Sequence, residues 1–209
     1  MKVEIWSDVM CPFCYIGKRK FEAALKEFPG AADVTVEWKS YQLNPDLKTQ
    51  PDKNLNQYLA EIKGWPIEKA IESNIRVTAL AKEVGLDYHL DKAIVANSFD
   101  AHRLSHLAKK SGLQDKVEEL LFNAYFSGGK DTSDHAVLKA IGVEAGCDAN
   151  EIDALLDGNQ FADAVKADIE EAHEIGVRGV PFFVVDRRYA ISGAQPVDLF
   201  LKTLKSAAK

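Results

Sequence analysis

Apolar and charged residues alternate over KVEIW (2–6) and the alternation stops at Ser7-Asp8, the period-two pattern of a half-buried strand. From position 11 the period changes. CPFCYIGKRKFEAALKEF (11–28) places Phe21, Leu25 and Phe28 at helical spacing, and Pro29-Gly30 ends the run. Alternation returns in VTVEWKSY (34–41), with Val34, Val36 and Trp38 on one face, so the opening predicts one βαβ unit.

Between about 53 and 176 the pattern is helical throughout. YLAEI, PIEKAIESNIRVTALAKEVG, KAIVANSFDAHRLSHLAKKSG, KVEELLFNAYFSGG, HAVLKAIGVEAG, EIDALLDG and FADAVKADIEEAHEIG each predict a helix. Pro66 suits a first helical turn, and Asp148 with Glu151 has capping-box spacing. Four of these helices end alike, in VGL (84–86), SGL (111–113), AGC (145–147) and IGV (175–177): a glycine and then an apolar residue, the Schellman signature. The unequal spacing of the four endings excludes a solenoid repeat. Strand patterning then resumes in VPFFVVD (180–186) and RRYAISG (187–193), a predicted hairpin, and PVDLFLKTLKSA closes with a helix. The layout is α/β, βαβ…ββα interrupted by a large all-helical insertion. Its expected segments are 1–50, 51–176 and 177–209.

Composition narrows the function classes. The 209 residues carry a net charge of −6 with signs interspersed, which disfavours nucleic acid because phosphate binding needs a basic face. No apolar run is long enough to span a bilayer, and MKVEIWSDVM lacks the apolar segment of a secretory signal. A cytoplasmic location is expected, and no membrane partner. Three cysteines exclude a disulfide-stapled scaffold.

Cys11 and Cys14 fit half a zinc site, a redox pair or small core fillers. A structural zinc site needs four ligands, and only Cys147 remains. His102 and His106 are one turn apart, but HRLSH lacks the glutamate of a zinc-protease motif. Core filling leaves the placement unexplained: Cys11 falls at the helix start, Pro12 fits the first turn, and Cys14 lies one turn deeper. Unpaired N–H groups and the positive helix end favour a thiolate at Cys11. C-x-x-C in a βαβ context is a redox signal, with Cys11 attacking and Cys14 resolving. Asp8 either caps the turn or opposes the thiolate. Cys147 fills the apolar slot after a capping glycine and is expected to be a packing residue. Trp6, Tyr15 and Tyr41 are expected in the core, and Phe13 exposed beside the thiols.

Together, SDVMCPFCYIG, the helical insertion, NSFDAHRL (97–104) and GVRGVPFFVV (176–185) make the chain resemble the thioredoxin superfamily, and within it the DsbA-like, FrnE-type dithiol–disulfide oxidoreductases. The resemblance covers essentially the whole chain. It implies a thioredoxin fold, a cis Val180-Pro181 bond facing the cysteines, and a Val180 backbone turned outward to pair with substrate. It implies tuning by Pro12 and Phe13: DsbA has histidine where Phe13 stands, and phenylalanine cannot donate a hydrogen bond to the thiolate. A less oxidising couple than DsbA's is expected, nearer the glutaredoxin range of roughly −200 to −230 mV.

Protein disulfides and dithiols or small thiols are the implied partners, with glutathione a co-substrate and no cofactor required. The resemblance extends to 2-hydroxychromene-2-carboxylate isomerases and kappa-class glutathione transferases, which makes Asn97 and His102 cleft-lining candidates. Those relatives typically carry serine where Cys11 stands. On helical spacing alone, Phe99, Leu104 and Leu107 are expected to pack and Asp100 and Arg103 to face water. The competing classes are a glutathione-dependent isomerase or transferase and a non-catalytic binder or chaperone. Either a monomer or a homodimer fits, with KVEIW or RRYAI as possible edge strands.

Overall fold

The computed structural model describes residues 1–209. β1 (Lys2–Ser7) leads into α1 (Pro12–Glu27), a single 3-10 turn at Ala31–Asp33, and β2 (Thr35–Ser40). Seven helices follow: α2 (Leu55–Lys63), α3 (Ile67–Glu83), α4 (Phe99–Lys109), α5 (Gln114–Phe126), α6 (His135–Ala145), α7 (Ala149–Asp157) and α8 (Ala162–Glu174). β3 (Phe182–Val185), β4 (Tyr189–Ser192) and α9 (Val197–Ala207) close the chain. The sheet order is β2-β1-β3-β4, with β1 parallel to β2 and the other pairs antiparallel. This is the thioredoxin fold with its helical insertion between β2 and β3.

Alternation along β1 sorts its side chains between two layers. Val3 and Ile5 join the main core with Phe21 of α1, Phe183 of β3 and Phe200 of α9. The three phenylalanine rings meet at centroid distances of 4.7–5.9 Å in tilted or edge-on contacts, which favour aromatic pairs beyond simple area burial. Trp6 faces the other way, against Ala172 and Val177 at the end of α8. Glu4 shares that face, is 2% exposed, and is paired with Arg187.

β1 is paired on both sides, so KVEIW is a central strand and not an edge. Its near-complete burial follows from that position. On β2, side chains of the insertion satisfy the outer row of backbone groups. The Gln114 amide accepts from Trp38 N–H and donates to Trp38 C=O, both at 3.0 Å, where a neighbouring strand would bond. The Asp168 carboxylate accepts from Ser40 N–H, Lys39 Nζ and His106 Nε2, each at 2.9 Å. Together, α4, α5 and α8 are stitched to the sheet.

All four predicted glycine endings form. Gly85, Gly112, Gly146 and Gly176 have positive φ, and the next residue's N–H reaches the carbonyl five positions back at 2.8–3.0 Å. Cys147 occupies one such slot, half-buried and packed on the core. Asp148 accepts from the Asn150 and Glu151 N–H groups as a cap, while the Glu151 carboxylate turns to Lys110 and does not close the box.

Two expectations are corrected. The helical pattern from 92 does not become helix until Phe99. Asn97 Oδ1 takes the Phe99 N–H at 2.8 Å, and Gln50 N–H bonds Val95 C=O at 2.8 Å, so side-chain and strand-like bonds replace the first helical turns. Arg103 is 4% exposed and does not face water. Its guanidinium donates to the carbonyls of Leu155, Gly158 and Gln160 around the end of α7 and to Asp100, so its charge is solvated by the chain.

Candidate active site

Cys11 is the N-cap residue of α1 and Pro12 its first helical residue, where a missing N–H costs nothing. No side chain caps this end. The positive pole of the helix therefore lies at Cys11. Cys14 lies one turn further in and is fully buried, while Cys11 is 4% exposed. Both are free thiols. Burial pushes the Cys14 thiol well above the ordinary range, and Cys11 beside it adds to the rise; Ser7 and the Asp8 backbone pull the other way.

The Val180-Pro181 peptide is cis, as the resemblance implied. The Cys11 thiol donates to the Val180 carbonyl at 3.4 Å, so the Val180 oxygen faces the sulfur rather than solvent. The Pro181 ring lies against α1. A Cβ added to Gly17 would sit 2.9 Å from Pro181 Cγ, so glycine there permits the close approach of helix and loop. Phe13 is 39% exposed beside the buried thiols, the expected placement.

The alternative left open for Asp8 is decided by its contacts. It is fully buried, its Oδ2 accepts Leu43 N–H at 2.7 Å, its Oδ1 accepts Met10 N–H at 3.3 Å, and its carbonyl accepts Cys11 N–H at 2.9 Å. Asp8 caps the cysteine turn and ties it to the 41–43 loop.

His102 and Asn97 are not placed on an open cleft. His102 is 2% exposed, and its Nε2 points at Asp8 Oδ1, 3.6 Å away. Burial opposes the charged imidazole, but the Asp8 carboxylate outweighs it and raises the pKa. The Asn97 amide is engaged with Phe99 N–H, Gln42 and the Leu47 carbonyl, fixing the segment before α4. His102 and His106 share no partner, since His106 bonds Asp168 and Ser40.

Sequence reasoning missed Tyr88. Its hydroxyl donates to the Pro12 carbonyl at 2.8 Å, and its ring stacks on Phe126 at 4.7 Å and on Tyr15 at 6.2 Å. Tyr15 in turn stacks on Phe122 at 5.0 Å and donates to Glu119 at 2.5 Å. No local pattern marks Tyr88, which reaches the motif from 76 residues away. Gly17 did carry a signal, a glycine in an otherwise good helix.

A dithiol at a helix N-terminus, one thiol at the cap and the other one turn deeper, is the arrangement of thiol–disulfide oxidoreductases. A model of the DsbA-like thioredoxin domain matches residues 2–205, and the chain belongs to this family. A protein described as a probable DsbA oxidoreductase from Streptomyces coelicolor is 38% identical, with a TM-score of 0.93 over 100% of this chain and 90% of that one. YwbO of Bacillus subtilis, an uncharacterized protein, is 25% identical over 99% of this chain and 97% of its own length. The cytosolic disulfide reductase DsbM of Pseudomonas aeruginosa shares the fold at 19% identity, with a TM-score of 0.71 over 100% of this chain and 98% of that one.

Proposed function

We propose that this chain exchanges disulfides with protein or small-thiol substrates, with Cys11 as nucleophile and Cys14 as resolving thiol. The observation that carries the reading is the asymmetry of the pair: Cys11 at the helix cap, Cys14 fully buried behind it. The Cys11 thiolate attacks one sulfur of a substrate disulfide, forming a mixed disulfide and releasing one substrate thiolate, which takes up a proton. Cys14 then loses its proton and attacks the Cys11 sulfur. The second substrate thiol leaves, and the enzyme holds a Cys11–Cys14 disulfide. Two electrons have passed to the substrate, and a thiol reductant such as glutathione resets the pair.

The burial that raises the Cys14 thiol suits this order, because Cys14 stays protonated while Cys11 makes the first attack. Pro12, Phe13, Val180 and Pro181 shape the approach to Cys11. A cytoplasmic setting, where glutathione is reducing, favours the reductase direction. The resolving thiol separates this reading from the glutathione-dependent isomerase type. Insulin reduction by the wild type, Cys11→Ser and Cys14→Ser tests it: both variants lose turnover. Full turnover in either variant overturns the assignment.

A further inference from the structure

Side chains do little to fix the redox turn of α1. None caps the helix at Cys11, and only Pro12 and Phe13 separate the two cysteines, Phe13 with its ring exposed. One side chain bonds the backbone of this four-residue stretch. The Tyr88 hydroxyl donates to the Pro12 carbonyl at 2.8 Å, from a loop of the helical insertion 76 residues away. Tyr88 is itself anchored. Its ring stacks on Phe126 and Tyr15, and the residues on either side of it are tied to the end of α5. The His89 N–H donates to the Phe126 carbonyl at 2.7 Å, and the Ser127 hydroxyl donates to the Asp87 carbonyl at 2.6 Å. Burial, with the charges that Cys11 and Cys14 can carry, pushes the Tyr88 hydroxyl well above the ordinary phenol range, so it stays a donor.

We propose that Tyr88 is a positioning residue for the resolving step: by holding the Pro12 carbonyl it keeps Cys14 within reach of the Cys11 sulfur. The inference rests on the disulfide-exchange reading and adds to it a residue of the insertion. In that step Cys14 gives up its proton and attacks the Cys11 sulfur of the mixed disulfide. The Cys11–Cys14 bond forms, the bond to the substrate sulfur breaks, and that sulfur leaves with the electron pair and takes up a proton. Both thiols belong to one turn, so rate and equilibrium follow the effective concentration of Cys14 at Cys11. A disulfide needs the two Cβ atoms about 3.5–4.5 Å apart. Freedom of the Pro12–Phe13 segment in the open form must be given up on closing. A neutral hydrogen bond that removes such freedom beforehand is worth roughly threefold to tenfold in the equilibrium. Without it the disulfide is less stable relative to the dithiol, and the couple is more oxidising.

Tyr88→Phe keeps the ring and its stack and removes only the hydroxyl. Tyr58→Phe is the control, another buried tyrosine of the insertion, whose hydroxyl meets Asn44 and no part of the motif. Phe126→Leu keeps the Tyr88 hydroxyl but removes a ring that aims it. Each protein is equilibrated with glutathione and glutathione disulfide to obtain its potential. Each is also reacted, reduced, with glutathione disulfide and quenched in acid, so that intact mass follows the Cys11 adduct as it closes to the internal disulfide. In Tyr88→Phe closure is expected to slow about threefold to tenfold and the couple to become more oxidising by the same factor, about 15–30 mV. Phe126→Leu is expected to move both readings the same way, and Tyr58→Phe to match the wild type. A merely structural role would lower the Tm of Tyr88→Phe and leave potential and closure rate unchanged, and that result overturns the proposal. An equal shift in Tyr58→Phe overturns it too. Should Tyr88→Phe fail to fold, the same readings on Phe126→Leu decide. A wild type that forms neither adduct nor internal disulfide overturns the exchange reading, and this inference with it.

Discussion

Replacing Gly17 by alanine adds one methyl group where α1 passes closest to Pro181. The new carbon would lie 2.9 Å from Pro181 Cγ, 3.4 Å from Phe183 Cζ and 3.6 Å from Ala194 Cβ. Two effects oppose each other. A glycine inside a helix costs about 1 kcal/mol relative to alanine, so in open space the substitution would stabilise by that much. Overpacking a filled site costs about 1–3 kcal/mol. The contact to Pro181 is below any normal carbon–carbon approach, and a ring is less able to yield than the end of a flexible chain. The overpacking therefore prevails, with a net loss of about 1 kcal/mol. For a chain of 209 residues that is a fall in Tm of about 2–4 °C. Activity falls further than stability, because moving Pro181 also moves the Val180 carbonyl, 3.4 Å from the Cys11 sulfur. Urea unfolding with a fitted m-value reads the first effect, and the initial rate of insulin reduction reads the second. An alanine variant stabilised by about 1 kcal/mol with an unchanged rate would refute the reasoning.

Three further outcomes follow from single side chains. Arg103→Lys should destabilise by about 3 kcal/mol in urea, nearly as much as Arg103→Met, because one ammonium cannot serve the carbonyls that the guanidinium fork holds; rescue by lysine would contradict this. Burial alone would push Glu119 up, but hydrogen bonds from Arg19 and Tyr15 and the Lys18 charge hold its carboxyl at about 2, below the ordinary 4.5. A depressed acid stabilises the fold above its unfolded pKa, and that stability is lost as pH falls from about 4.5 to about 2. Tm measured against pH should decline over that window, and less steeply in Glu119→Gln; parallel curves would count against the assignment. Phe13→His places a donor beside the Cys11 thiolate and should make the couple more oxidising when equilibrated with glutathione. An unshifted potential would remove Phe13 as the tuning residue.

What could be read from the sequence was whatever is local in the chain. The helix-start cysteines, Pro12 and the four glycine endings are each fixed within a few residues by dihedral preferences and unpaired backbone groups. The Asp186-Arg187 turn of the β3–β4 hairpin was not legible in the same way. Both residues have positive φ, 48° and 55°, without a glycine. Asp186 is held by Lys2, at 2.6 Å from its N–H, and Arg187 by Glu4 and Glu171, all distant in sequence. Tyr88 and Arg103 escaped for the same reason, since the carbonyls they bind lie 52 to 76 residues away. Helical spacing around Arg103 shows which face it shares, but not that the end of α7 packs there and supplies carbonyls.

The central claim is that Cys11 makes the first covalent contact and Cys14 removes it. Incubating Cys14→Ser with glutathione disulfide, then mapping adducts by intact mass and peptide digestion, tests it most directly. The account predicts a stable glutathione adduct on Cys11 in that variant. In the wild type it predicts a Cys11–Cys14 disulfide in place of the adduct, and in Cys11→Ser no adduct at either motif position. An adduct carried chiefly by Cys147, or a Cys14→Ser protein that stays unmodified, would contradict it.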